Sequence, residues 1–152
     1  GSKSDFEEFD LSERVERIVN YLTRRLPSLG KKVELVNDIQ PGITVTANGS
    51  LLAWSIENII RNGIDAIERD DGKVTVSLRE DSDGIKIRIH DNGKGIPKKD
   101  WRNIFRPGFS TKQAGWGLGL SLSSRIVEDI HDGRLQVIDS SQQGGTTLEI
   151  SL

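Results

Sequence analysis

Ile85-Lys86-Ile87-Arg88-Ile89-His90-Asp91-Asn92-Gly93-Lys94-Gly95 is the stretch on which the fold turns. The alternation of Ile85, Ile87 and Ile89 predicts a half-buried strand, and period two carries Asp91 onto the same inner face. A carboxylate among isoleucines must be paired or hydrogen-bonded, because burying a bare charge is costly. Two readings follow. Either the strand ends at His90 and Asp91-Asn92-Gly93 is a turn, or Asp91 is an acceptor at the bottom of a ligand pocket, with Gly93 and Gly95 letting the backbone approach the ligand.

On the N-terminal side, residues 73–80 alternate in the same way, and Ser82-Asp83-Gly84 joins the two segments as an antiparallel hairpin. Before them, residues 48–69 read as a long helix starting near Asn48 or Ser50, with Leu52, Ile56, Ile59, Ile60, Gly63 and Ile67 on one apolar face. Residues 33–36 and 43–46 read as short strands separated by a Pro41-Gly42 turn. Leu11, Val15, Ile18, Val19, Leu22 and Leu26 recur at helical spacing, so residues 12–26 form a helix with Ser12 as its N-cap, ended by Pro27 and Gly30. Residues 1–10 read as a tag remnant and lead-in, and residues 11–152 as one domain.

On the C-terminal side, residues 92–116 are rich in Gly, Lys, Pro and Asn, with room only for short helical patches. A loop of this length inside a compact domain is unusual and often functional. A third helix follows over residues 118–130. Strands at 135–140 and 146–152, joined through Gly144-Gly145, close the chain. Paired strands alternating with helices predict an α+β fold: a two-layer sandwich of a mixed sheet with three main helices on one face.

The chain has 152 residues, 34% hydrophobic and 29% charged, with a formal net charge of −2. No basic block argues for nucleic-acid binding. No apolar run is long enough to span a membrane, and no signal peptide is visible. With no cysteine, disulfides and thiolate metal sites are excluded. Gly1-Ser2 and the lack of methionine suggest a fragment excised from a longer protein.

Two further features carry chemistry. Asn58, Asn62 and Asp65 fall on a helix stripe about 60° wide, nearly opposite the apolar centre. The stripe could simply face water. Yet asparagine is a poor interior helix former, and paired carbonyl and carboxylate oxygens suit a hard cation such as Mg²⁺. Gly115-Trp116-Gly117-Leu118-Gly119-Leu120 opens the third helix, where backbone N–H groups and the helix dipole attract anions. The spacing fits neither Walker A nor the Rossmann fingerprint. Lys112 upstream supplies a cation.

In order along the chain stand Asn58-Ile-Ile-Arg-Asn62-Gly-Ile-Asp65-Ala66, Asp91-Asn-Gly-Lys-Gly95-Ile96, Ile104-Phe105-Arg-Pro107-Gly-Phe109-Ser-Thr111-Lys112, Gly115-x-Gly117-Leu118-Gly119-Leu120 and Gly144-Gly145-Thr146. This set resembles the catalytic, ATP-binding domain of two-component sensor histidine kinases, in the GHKL superfamily. The resemblance implies a Bergerat-type ATP-binding fold with ATP and Mg²⁺ as ligands. Asp91 would accept from the adenine amino group, and Thr146 would support the adenine edge through water. Asn62 with Asn58 would hold Mg²⁺ against the phosphates. Residues 97–116 would form a mobile ATP lid, packed on the body by Phe105 and Phe109. Gly115, Gly117 and Gly119 would let the lid and the helix start wrap the phosphates, Lys112 would supply a cation, and Asp65, Gly93, Gly95, Ile96, Phe105, Thr111 and Leu118 would complete the ATP-binding set.

The resemblance also implies the reaction: γ-phosphoryl transfer to a histidine on a separate dimerisation and phosphoacceptor domain, and through it signalling to a response regulator. The location would be cytoplasmic, as in the cytoplasmic part of a membrane-bound sensor. Neither His90 nor His131 has the context of the family's phosphoacceptor. Hydrolysing relatives carry a glutamate general base where this chain has Asn58, and an amide cannot take a proton at neutral pH. Glu57, turned about 100° away, is a minor candidate for assisting transfer. The rival readings are a GHKL-type ATPase module and a non-catalytic nucleotide-sensing domain. Four positions depart from the family pattern: Asp65 stands where lysine is common, Gly63 where alanine is commoner, Gly108 where an aromatic is common, and Trp116 is large for a lid position between glycines.

Overall fold

The computed structural model describes residues 5–109 and 116–152. Among the described residues, seven strands and three main helices follow one another: β1 (Glu7–Asp10), α1 (Leu11–Arg25), β2 (Val33–Ile39), β3 (Thr44–Ala47), α2 (Gly49–Asp65), β4 (Gly72–Asp81), β5 (Gly84–Asp91), α3 (Trp116–Arg125), β6 (Arg134–Ser141) and β7 (Gly145–Ser151). The main sheet has the order β2-β4-β5-β7-β6, with β2 and β4 parallel and every other pair antiparallel. It is the mixed sheet of the predicted two-layer sandwich. Its inner face, built from Val74, Val76, Leu78, Ile87, Ile89, Leu148 and Ile150, packs in one core with Leu52, Ile56, Ile59 and Ile60 of α2 and with α1. The outer face is polar and carries the Arg88–Glu149 ion pair at 2.8 Å.

The N-terminal region differs from expectation in two ways. The lead-in contains a strand, β1, which pairs antiparallel with β3 in a small second sheet. Helix α1 starts at Leu11, and its N-cap is Asp10, whose carboxylate accepts from the Glu13 N–H at 2.9 Å. Ser12 is engaged elsewhere. Its hydroxyl donates to the Gln40 carbonyl at 2.6 Å and accepts from the Ile43 N–H at 3.0 Å, so it ties the Pro41-Gly42 turn to the helix.

Helix α2 is capped by Asn48, whose side chain accepts from the Leu51 N–H, and it stops at Asp65, four residues short of the predicted end. The Ala66 carbonyl left open there accepts from the Lys94 N–H at 3.4 Å, so the helix end anchors the loop after β5. Helix α3 runs on as a π-helical turn over Ile126–Ile130. His131 then joins three segments: Nδ1–H donates to the Ile126 carbonyl at 2.9 Å, Nε2 accepts from the Asn48 N–H at 3.1 Å, and the ring stacks on Phe6. No helix among the described residues is long and apolar enough to cross a membrane.

Candidate functional site

Three strand ends meet where α2 finishes. Asp91 closes β5, Thr146 is the second residue of β7, and Ser140 is the last but one of β6. Asp91 is the register partner of Thr146, and Thr146 that of Ser140. Period two puts Asp91 and Thr146 on the inner face with Ile89 and Leu148. Ser140 reaches that face because of a bulge. Leu135 and Val137 point inward, and one extra residue between Val137 and Asp139 shifts the alternation, so Ser140 rather than Asp139 turns toward Thr146.

Asp91 and Thr146 are each 3% exposed. The strand therefore continues through Asp91 with a buried carboxylate, and the turn begins only after it. Asp91 Oδ1 accepts from the Gly93 N–H at 2.9 Å. Ser140 Oγ accepts from the Ile96 N–H at 2.7 Å and lies 2.7 Å from Thr146 Oγ1. A cavity of about 600 Å³ opens above this corner, within the size range of small-molecule sites. Asn62 and Ala66 of α2, Asp91, Gly95, Ile96, Ser140, Thr146 and Leu148 line it, and Lys94 and Lys98 contribute cationic side chains.

Two glycines make the corner possible. Gly145 has φ +80°, and a Cβ there would fall 1.8 Å from the Asp91 carbonyl oxygen. Gly95 has φ +82°, and a Cβ would fall 2.4 Å from the Ser141 carbonyl oxygen. Both positions need the left-handed backbone and an empty side chain. The close approach they allow is of backbone to backbone, which draws the β6–β7 turn against the end of β5.

The model of the histidine kinase-, DNA gyrase B- and HSP90-like ATPase family matches residues 47–152. The chain belongs to that family. It is 26% identical over 149 residues to the nitrogen regulation protein NtrY of Azorhizobium caulinodans, covering 94% of this chain and 19% of the relative. It is 38% identical over 110 residues to the sensor histidine kinase ZraS of Escherichia coli, covering 72% and 23%. The chain thus spans about a fifth of the length of these curated relatives. In fold it is similar to the catalytic domain of histidine kinase ThkA, with a TM-score of 0.85 at 23% identity, covering 97% of this chain and 94% of that one. ThkA has also been solved in complex with the response regulator TrrA.

In this histidine-kinase-type domain, Asn62, Asp91, Gly95, Ile96 and Thr146 converge on one cavity, and Gly93 packs beneath Asp91 against the Ala66 carbonyl. Other expected residues stand elsewhere. Asn58 is 7% exposed, covered by α3: its Nδ2 donates to Ser123 Oγ at 3.3 Å, and Gly119 packs directly on its amide. At Asn58 the helix stripe is therefore covered by protein, not water. Asp65 turns away and lines a shallow groove with Lys31, Lys32 and Arg69, one carboxylate oxygen buried without a hydrogen bond among the described residues. Glu57 is ion-paired with Arg61 at 3.0 Å. Phe105 packs against the core, and Phe109 lines the cavity. Thr111, Lys112 and Gly115 lie outside the described residues, while Gly117 and Leu118 fall in the first turn of α3.

In the exposed turn after α2, a hydrogen bond from Arg69 holds the Asp71 carboxyl below its usual range, away from the cavity. The sequence reading missed Ser140, Lys94 and Lys98. Both lysines sit in or beside a quoted motif and could have been found there. Ser140 could not, because strict alternation from Leu135 points it outward and nothing in the sequence marks the bulge.

Proposed function

We propose that this domain binds Mg-ATP in the cavity and donates the γ-phosphoryl group to a histidine on a separate dimerisation and phosphoacceptor domain of a sensor kinase. The observation that carries the reading is the buried pair Asp91 and Thr146 on the cavity floor, with Asn62 in the wall above. A buried carboxylate open to a cavity offers a strong acceptor for a base amino group. The Thr146 hydroxyl beside it can serve the neighbouring ring position, directly or through water.

The donor set fits a cation delivered with the nucleotide. Among the described residues, no group of three or more His, Cys, Asp or Glu could cage a metal. Asn62 instead lines the cavity, and an amide oxygen there would suit Mg²⁺, which keeps waters and is shared with phosphates. When bound, the ion neutralises charge on the phosphates during transfer. Lys94 and Lys98 add positive charge at the same cavity. The N-terminal turn of α3, with Gly117 and Gly119, offers backbone N–H groups to the phosphates. Asn58 would join Asn62 as a second ligand only if α3 shifted off it.

The remainder of the reaction is positioning. A neutral histidine brings its own lone pair and needs no strong base. Asn58 cannot take a proton, and Glu57 is held by Arg61, so water attack is disfavoured. The response regulator would act downstream of the phosphohistidine, a partnership that the ThkA complex with TrrA supports by analogy of fold. The test supplies γ-labelled Mg-ATP, this domain, and the full-length protein's phosphoacceptor domain in trans. Acid-labile, base-stable label on that domain is expected. Release of free phosphate with no labelled protein would contradict the reading.

A further inference from the structure

The cavity floor holds a second hydroxyl to which the proposed reaction gives no role. Ser140 Oγ accepts from the Ile96 N–H at 2.7 Å and lies 2.7 Å from Thr146 Oγ1. The Ile96 N–H can only donate, so that contact occupies a lone pair of Ser140 and leaves its own proton to be placed. Thr146 is the register partner of Asp91, and both are buried. Thr146 Oγ1, 2.7 Å away, is the acceptor that the Ser140 proton meets, which leaves the single Thr146 hydrogen for the cavity. The lone pairs of Thr146 then face Ser140, which donates to them. The hydrogens run one way: Ile96 N–H to Ser140, Ser140 to Thr146, and Thr146 out into the cavity.

We infer that Ser140 is a positioning residue that fixes Thr146 as a hydrogen donor and thereby sets the base preference of the site, 6-aminopurines over 6-oxopurines. The inference rests on the nucleotide reading and extends it. Asp91 offers an acceptor, and Thr146 held in this sense offers a donor one strand away. An amino group beside an unprotonated ring nitrogen, as on adenine, complements both. Hypoxanthine carries a carbonyl oxygen beside a ring N–H and meets like with like at both positions. Asp91 alone discriminates at one atom of the base, and Ser140 extends the discrimination to the next. The bulge after Val137 is what brings Ser140 into the chain of donors.

The experiment titrates the 152-residue chain by calorimetry with ADP, IDP and 1-deaza-ADP, which lacks the ring nitrogen acceptor. Native protein and Ser140→Ala are compared, with melting curves to confirm folding. Ser140→Cys, close in size but a poor donor, carries the test if the alanine variant does not fold. Loss of the Ser140 donor should weaken ADP about 5- to 10-fold, leave 1-deaza-ADP within about twofold, and narrow the ADP-to-IDP ratio. Loosening of the pocket alone would weaken all three ligands by one factor, and that result would overturn the inference, as would unchanged ratios. If native protein binds none of the three, the nucleotide reading falls and the inference with it. If native protein binds ADP but the ratios stay fixed in the variant, only the role of Ser140 falls.

Discussion

Gly119 of α3 lies directly on the side chain of Asn58 in α2, so close that a Cβ on Gly119 would stand 2.4 Å from Asn58 Nδ2. The same amide donates to Ser123 one turn further along α3. Gly119→Ala gains helix propensity but forces the helices apart and strains that bond. Overpacking costs about 1–3 kcal/mol, against about 1 kcal/mol of propensity regained. A net loss of about 1 kcal/mol is expected in urea denaturation. In an Asn58→Ala background the loss should shrink, because the clashing group is gone.

The same contact bears on hydrolysis. The family resemblance aligns Asn58 with the general base of hydrolysing relatives, yet it is packed under α3, with Gly119 directly on its amide. Native protein is expected to release phosphate from ATP negligibly. Asn58→Glu should lower the melting temperature before it installs a base, by overpacking worth about 1–3 kcal/mol. Steady phosphate release by native protein would move the domain toward the ATPase branch of its family.

His131 gives a stability prediction far from the cavity. Its ring bonds the Ile126 carbonyl and the Asn48 N–H and stacks on Phe6. His131→Ala leaves the Asn48 N–H without its acceptor, a loss on the order of 1–3 kcal/mol. Chemical denaturation should show that loss with nucleotide affinity little changed.

Much of this was legible in the sequence. The alternation of Ile85, Ile87 and Ile89 placed β5, and it put Asp91 on the inner face because period two is a strong constraint on a half-buried strand. The apolar face of α2 was legible for the same reason. Three features were not. Strand β1 is four residues long and largely exposed, so it carries no apolar pattern, only pairing with β3. The N-cap moved from Ser12 to Asp10 because tertiary contacts with Gln40 and Ile43 claimed the serine hydroxyl. Asn58 looked like a site residue or a solvated one, whereas packing of α3, a long-range contact, decided its environment.

Asp91→Asn separates the ligand from the fold. The substituted side chain keeps an oxygen to accept from the Gly93 N–H, so the turn should survive. It replaces the other oxygen with a donor, which opposes a base amino group. Adenine nucleotide affinity should fall by about 1–3 kcal/mol, roughly 5- to 150-fold, with little change in melting temperature. A sharp drop in melting temperature with affinity intact would make Asp91 a structural residue.

The most direct test of the account is calorimetric titration of the native domain with Mg-ADP. The cavity floored by Asp91 and Thr146 predicts saturable binding with a Kd between about 1 µM and 1 mM, or roughly 4–8 kcal/mol. Absence of any binding up to several millimolar nucleotide would contradict it.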